Sequence, residues 1–113
     1  VMIDVSELQQ QLREFADLRD WEKYHSPKNL VMAMSVEMAE LMEHFEWMTE
    51  EQSLNLGEET REQVALEMAD VMIYLVRMAD RCGVNLDESV KRKLLLNAQK
   101  YPPSGGLTMN KER

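Results

Sequence analysis

Apolar residues recur at three- and four-residue intervals in four stretches of this chain, and no alternating β-branched run interrupts them. In the first stretch Leu8, Leu12, Phe15 and Ala16 share a face, which predicts a helix over 6–21. Ser6 and Gln9 have the spacing of a capping box at its start. The break "YHSPKNL" follows. There Ser26 supplies an N-cap and Pro27 a first helical residue for a second helix running to Met48. "TEEQSLNLGEE" is polar and poorly periodic, and predicts a plain connection. A third helix is predicted over 58–81, with Gly83 placed to end it. Asn85 or Asp87 caps a fourth, which stops at "YPP", 101–103. The pattern predicts one all-α domain over 1–103, a four-helix antiparallel bundle-like protomer, with "SGGLTMNKER", 104–113, as a flexible C-terminal tail.

The polar positions beside the apolar ones carry the chemistry. Successive helical residues turn by about 100°, so Leu30, Val31, Met34, Met38, Leu41 and Phe45 cover one broad sector of the second helix. Glu37, Glu40, His44 and Trp47 form a stripe along its edge. On the third helix Val64, Met68, Val71, Leu75 and Met78 fill the equivalent sector, edged by Glu67, Asp70 and Tyr74. A single Glu-x-x-Glu on a helix is the ordinary mark of a solvated acidic face. Two acid pairs at matching edges are different, because antiparallel packing through the apolar sectors brings four carboxylates together.

Four carboxylates repel one another unless protons, basic partners or a metal ion neutralise them. A di-iron centre of the helical-bundle type needs a Glu-x-x-His pair from each of two helices, and no such pair occurs: His44 lies four residues after Glu40, and the other histidine is His25. One cysteine and two histidines make a poor structural zinc site. Oxygen-only ligation favours Mg²⁺, with Mn²⁺ as a substitute.

Composition narrows the partners. A net charge of −8 argues against binding a nucleic-acid polymer, and a phosphate-bearing ligand then needs a cation between itself and the protein. No apolar run approaches the roughly 20 residues that span a bilayer, so no membrane is expected. "VMIDVSELQQ" turns polar too soon for a secretory leader. The single cysteine, Cys82, cannot form an internal disulfide, which suits a reducing cytoplasm. Long helices in a 113-residue chain with ten methionines leave apolar surface that one protomer cannot cover, which predicts a homo-oligomer with Met-rich contacts.

"RDWEKYHSPKNL", "SVEMAELMEHFEW", "LEMADVMIYLVRMADRCGVNL" and "KRKLLLNAQKYP" together resemble the MazG-like all-α nucleoside triphosphate pyrophosphohydrolases, most of all the branch with the dCTP pyrophosphatases. The resemblance runs in order from Phe15 to Pro102. It implies Mg²⁺-dependent cleavage of (deoxy)nucleoside triphosphates, pyrimidine dNTPs such as dCTP among them, between the α and β phosphates in nucleotide-pool house-cleaning. It further implies that Glu37, Glu40, Glu67 and Asp70 hold the metal, with one of them orienting or deprotonating the attacking water. Lys93, Asn97 and Lys100, spaced i, i+4 and i+7 on the fourth helix, would meet phosphate. Tyr101 would close the same site or simply pack. Trp21, His25, Trp47 and Tyr74 would enclose the base. The resemblance also implies a homotetramer built as a dimer of dimers, a homodimer being the alternative. Leu66 departs from the pattern, standing where many relatives carry a further acid. A contrasting possibility is a non-catalytic helical interaction module, which would need no metal.

Overall fold

The structure is a computed structural model, and residues 2–103 are described. Every regular element among them is helical: α1 (Val5–Leu18), a 3-10 turn (Glu22–Tyr24), α2 (Pro27–Glu43), α3 (Glu50–Ser53), α4 (Glu58–Cys82) and α5 (Leu86–Lys100). The expected flexible tail, 104–113, lies outside the described residues.

Caps explain most boundaries. Asp4, not Ser6, opens α1, its carboxylate accepting the Glu7 amide at 3.2 Å. The helix ends at Leu18, three residues short of the expected end, because Asp20 takes a left-handed conformation (φ 56°). Aspartate tolerates that region better than most side chains. The turn lets the Trp21 amide donate to the Ala16 carbonyl at 2.9 Å, which closes the helix end and fixes where Trp21 leaves it. Ser26 and Pro27 open α2 as expected, with the Asn29 amide on the Ser26 hydroxyl. Gly83 ends α4 at φ 70°, where a side chain would be strained, and the Asn85 side chain caps α5.

The largest departure from the sequence pattern lies between α2 and α4. The α2 helix stops at Glu43 rather than Met48, as the amides of Phe45 and Glu46 both turn back to the Met42 carbonyl. The supposedly plain connection then holds α3, a single turn stabilised by a complete capping box between Thr49 and Gln52.

The α2 and α4 helices form the main packed pair. Their register is antiparallel: His25, just before α2, meets Arg77, Glu37 neighbours Asp70, and His44 at the end of α2 meets Glu67. The α1 helix lies against α4. The core of one chain is small, consisting of Ala16, Leu30, Val64, Val76 and Ala79, with Leu30 and Val76 the largest side chains fully enclosed. Burying either contributes about 1.5–3 kcal/mol. Met38, Met68 and Leu75 from the expected apolar sectors stay more than two-fifths exposed. The α5 helix buries no residue at all. Within one chain the packed unit is therefore α1, α2 and α4, and the fourth long helix of the expected bundle stands beside it.

Candidate metal and nucleotide site

The antiparallel register sets the acid pairs of α2 and α4 face to face. One carboxylate oxygen from each of Glu37, Glu67 and Asp70 lies within 4.8 Å of the others, close enough for one cation to reach all three. Glu40 is exposed, as Asp70 is, and lies outside that trio, yet it is close enough to Glu67 to feel its charge. Proton affinities record the crowding. The Glu37 carboxyl is raised, first by loss of solvent and then by the negative charges of Glu40, Asp70 and Glu67. The Glu40 carboxyl is also raised, chiefly by Glu67. His44 Nε2 stands 3.7 Å from Glu67 Oε2 and is the one basic group paired with this cluster among the described residues. Acids whose proton affinity is raised because other acids crowd them are a donor set that a divalent cation relieves.

The cluster opens onto a cavity of about 460 Å³, and both Glu37 and Asp70 line it. The opposing wall is aromatic. Trp21 packs edge-on against Phe15 with ring centroids 5.6 Å apart, and His25 follows at 6.0 Å from Trp21. Tyr74, one turn beyond Asp70 on α4, adds to the lining with Leu12, Leu30, Ile73 and Arg77. The left-handed turn at Asp20 sets this wall, because it swings Trp21 back over the end of α1.

Of the residues expected at the base, Trp21, His25 and Tyr74 therefore share one cavity. Trp47 does not join them. It follows the end of α2 and is 89% exposed, because the helix that would have carried its stripe past His44 stops at Glu43. Lys93, Asn97 and Lys100 lie on α5 and none lines the cavity. Lys93 and Lys100 are exposed, Asn97 is half-buried, and the Lys100 ammonium sits 5.4 Å from the Tyr101 ring centre. Two lining residues, Ile73 and Arg77, had no assigned role in the sequence pattern, and Phe15 was placed only on the apolar face of the first helix. The signal for Arg77 was present: the stripe Glu67, Asp70, Tyr74 continues to position 77 at helical spacing.

A paired set of facing helices, acid-edged and opening on an aromatic cavity, defines an all-α protein with a cluster of carboxylates close enough for one cation to reach. The chain belongs to the MazG-like family, whose profile matches residues 32–112. A crystal structure of a pyrophosphatase from Archaeoglobus fulgidus is similar over 91% of this chain and 96% of its own, with a TM-score of 0.83 and 42% identity. Human dCTP pyrophosphatase 1 is 45% identical over 53 residues, and the bovine dCTP pyrophosphatase 1 is 43% identical over the same length. Those stretches make up 47% of this chain but 31% of each relative, so the match spans under a third of the curated relatives' length. Among the described residues no helix is long and apolar enough to cross a membrane.

Proposed function

We propose that this protein is a Mg²⁺-dependent nucleotide pyrophosphohydrolase that cleaves pyrimidine deoxynucleoside triphosphates such as dCTP to the monophosphate and pyrophosphate. The observation that carries the reading is the single cavity that joins the carboxylate cluster to the aromatic wall: Glu37 and Asp70 line it together with Trp21, His25 and Tyr74. A nucleotide has the same two ends, one anionic and one flat. The named relatives are described as pyrophosphatases, two of them for dCTP, which supports the reading.

Glu37, Glu67 and Asp70 would hold the cation, with Glu40 beside them. The bound ion would neutralise phosphate charge, polarise the phosphoryl group and lower the pKa of a bound water. The protein's own part is placement. Trp21 and Tyr74 hold the base so that its phosphates reach the acids, and a carboxylate not engaged by metal can accept the proton of the attacking water. Water adds at phosphorus as the bond between the α-phosphorus and the bridging oxygen breaks, and pyrophosphate leaves with its electrons. Mn²⁺ meets the same donor set and would substitute.

Lys93, Asn97 and Lys100 supply phosphate contacts in this reading, and Trp47 a further base contact, from a second copy of the chain. Exposed apolar side chains on α2, α4 and α5, including Met38, Met68, Leu94 and Leu95, provide the surface for a homotetramer or homodimer. The free, exposed Cys82 suits a cytoplasmic setting. A panel of nucleoside triphosphates assayed for pyrophosphate release, with Mg²⁺ and with EDTA, tests the proposal. It predicts release from pyrimidine dNTPs with Mg²⁺ alone. No release from any of them would leave a non-catalytic module as the better reading.

A further inference from the structure

Arg77 lines the cavity yet has no part in the roles above. Its side chain is almost fully enclosed, with the whole residue 4% exposed. The Nε–H donates to Nδ1 of His25 at 3.1 Å. Its Nη1 lies 3.5 Å from Asp80 Oδ2, and Asp80 is itself held in a two-pronged pair by Arg13 at 2.7 and 3.2 Å. Arg81, one turn further along α4, donates to the His25 backbone carbonyl at 3.0 Å and to Glu22 at 2.6 Å. Both the ring and the backbone of His25 are thus gripped from α4, and the gripping arginine is steadied from α1.

The direction of the ring contact has one solution. A guanidinium has donors only and keeps its proton throughout the working pH range. Nδ1 must therefore be the lone-pair nitrogen, and a neutral imidazole then carries its proton on Nε2. The surroundings favour the neutral form, since burial and the charges of Arg77 and Arg81 lower the proton affinity of His25. Among the described residues Nε2 has no hydrogen-bond partner.

We infer that Arg77 is a positioning residue that locks His25 in the Nε2–H form, so that the wall beside Trp21 offers the base one hydrogen-bond donor. This rests on the reading of the cavity as a base pocket. A group placed against that donor must accept: a pyrimidine carbonyl oxygen or an unprotonated ring nitrogen. An exocyclic amino group is refused there, because two donors face each other. Stacking tolerates every base, so this contact gives the pocket a polarity that aromatic rings alone lack.

Long-range ¹H–¹⁵N correlation spectra of the whole protein at neutral pH read the form of His25 directly, and His25→Gln assigns its signals against the one other histidine. The expected spectrum is the Nε2–H tautomer in the wild type and a mixture in Arg77→Met. In steady-state assays Arg77→Met should raise KM for the preferred dNTP roughly tenfold with little change in kcat. KM for deoxyribose 5′-triphosphate, which has no base, should not move. An Nδ1–H tautomer or an imidazolium in the wild type overturns the inference without need of any variant. An equal KM rise for the baseless triphosphate overturns its base-directed part. A wild type inactive on every triphosphate but showing the Nε2–H spectrum would overturn the proposed function while the positioning by Arg77 stands.

Discussion

The α4 helix carries two clusters of ionisable groups, and they are built on opposite rules. Towards its middle, Glu67 and Asp70 meet Glu37 and Glu40, all of one sign, and the proton affinities of Glu37 and Glu40 are raised. Two to three turns on, Arg77, Asp80 and Arg81 meet Arg13, Glu22 and His25, and each charge finds an opposite charge or a hydrogen-bond partner. The second cluster is complete within the chain and can serve as structure. The first is not, and in the proposed function a cation supplies what the sequence withholds. Unbalanced charge next to a cavity marks where a ligand belongs, and balanced charge next to the same cavity marks what holds the walls in place.

Glu67→Gln and Asp70→Asn press hardest on that contrast. Each should lower pyrophosphate release roughly 10²–10³-fold, while far-ultraviolet circular dichroism stays helical. Because each also removes a repelling charge, the metal-free Tm should stay level or rise. A fall in both activity and Tm would mean that the acids are structural, like the cluster further along the helix.

The α5 helix supplies a second, smaller test. Leu94 and Leu95 are 63% and 68% exposed on a helix that buries nothing in its own chain. Leu94→Asp should reduce the sedimenting mass to that of a monomer and weaken turnover as Lys93, Asn97 and Lys100 lose their place against a neighbouring cavity. An unchanged mass would remove α5 from the assembly surface.

Proton and metal linkage give a graded effect. Glu37 and Glu40 bind protons more tightly folded than unfolded. Their contribution to stability is complete below the ordinary carboxylate range and is lost as pH rises through their raised values. Metal competes for the same oxygens, so stabilisation by Mg²⁺ should grow with pH. Thermal melts at about pH 5 and about pH 8, with and without Mg²⁺, check the sign. The smallest effect belongs to the balanced cluster: Arg13→Ala removes a half-exposed partner of Asp80, and should lower Tm by no more than a few degrees.

How much of this was legible beforehand depended on the distance over which each feature is determined. The α2–α4 acid register could be read from the chain because helical periodicity fixes which side chains share an edge, and two matching edges imply their own pairing. The N-cap of α2 and the glycine stop of α4 are equally local. The end of α2 is not legible in the same way, because "HFEWM" keeps a helical apolar pattern while its amides tighten into turns, and this takes Trp47 off its stripe. The left-handed Asp20 that aims Trp21 has no distinct sequence mark. Arg77 was readable as the next residue on the Glu67–Asp70–Tyr74 stripe, but its partner His25 lies 52 positions away, and periodicity says nothing about such a pairing. The exposure of α5 was not readable either, because its apolar pattern is that of a packed helix although it buries no residue in its own chain.

The most direct test of the central claim is a titration with Mn²⁺ followed by electron paramagnetic resonance, on the wild type and Glu67→Gln, with a non-hydrolysable dNTP analogue present. The carboxylate cluster predicts saturable Mn²⁺ binding in the wild type that is lost or greatly weakened in the variant. Equal binding by both proteins, or triphosphate hydrolysis by a wild type that binds no metal, would contradict it.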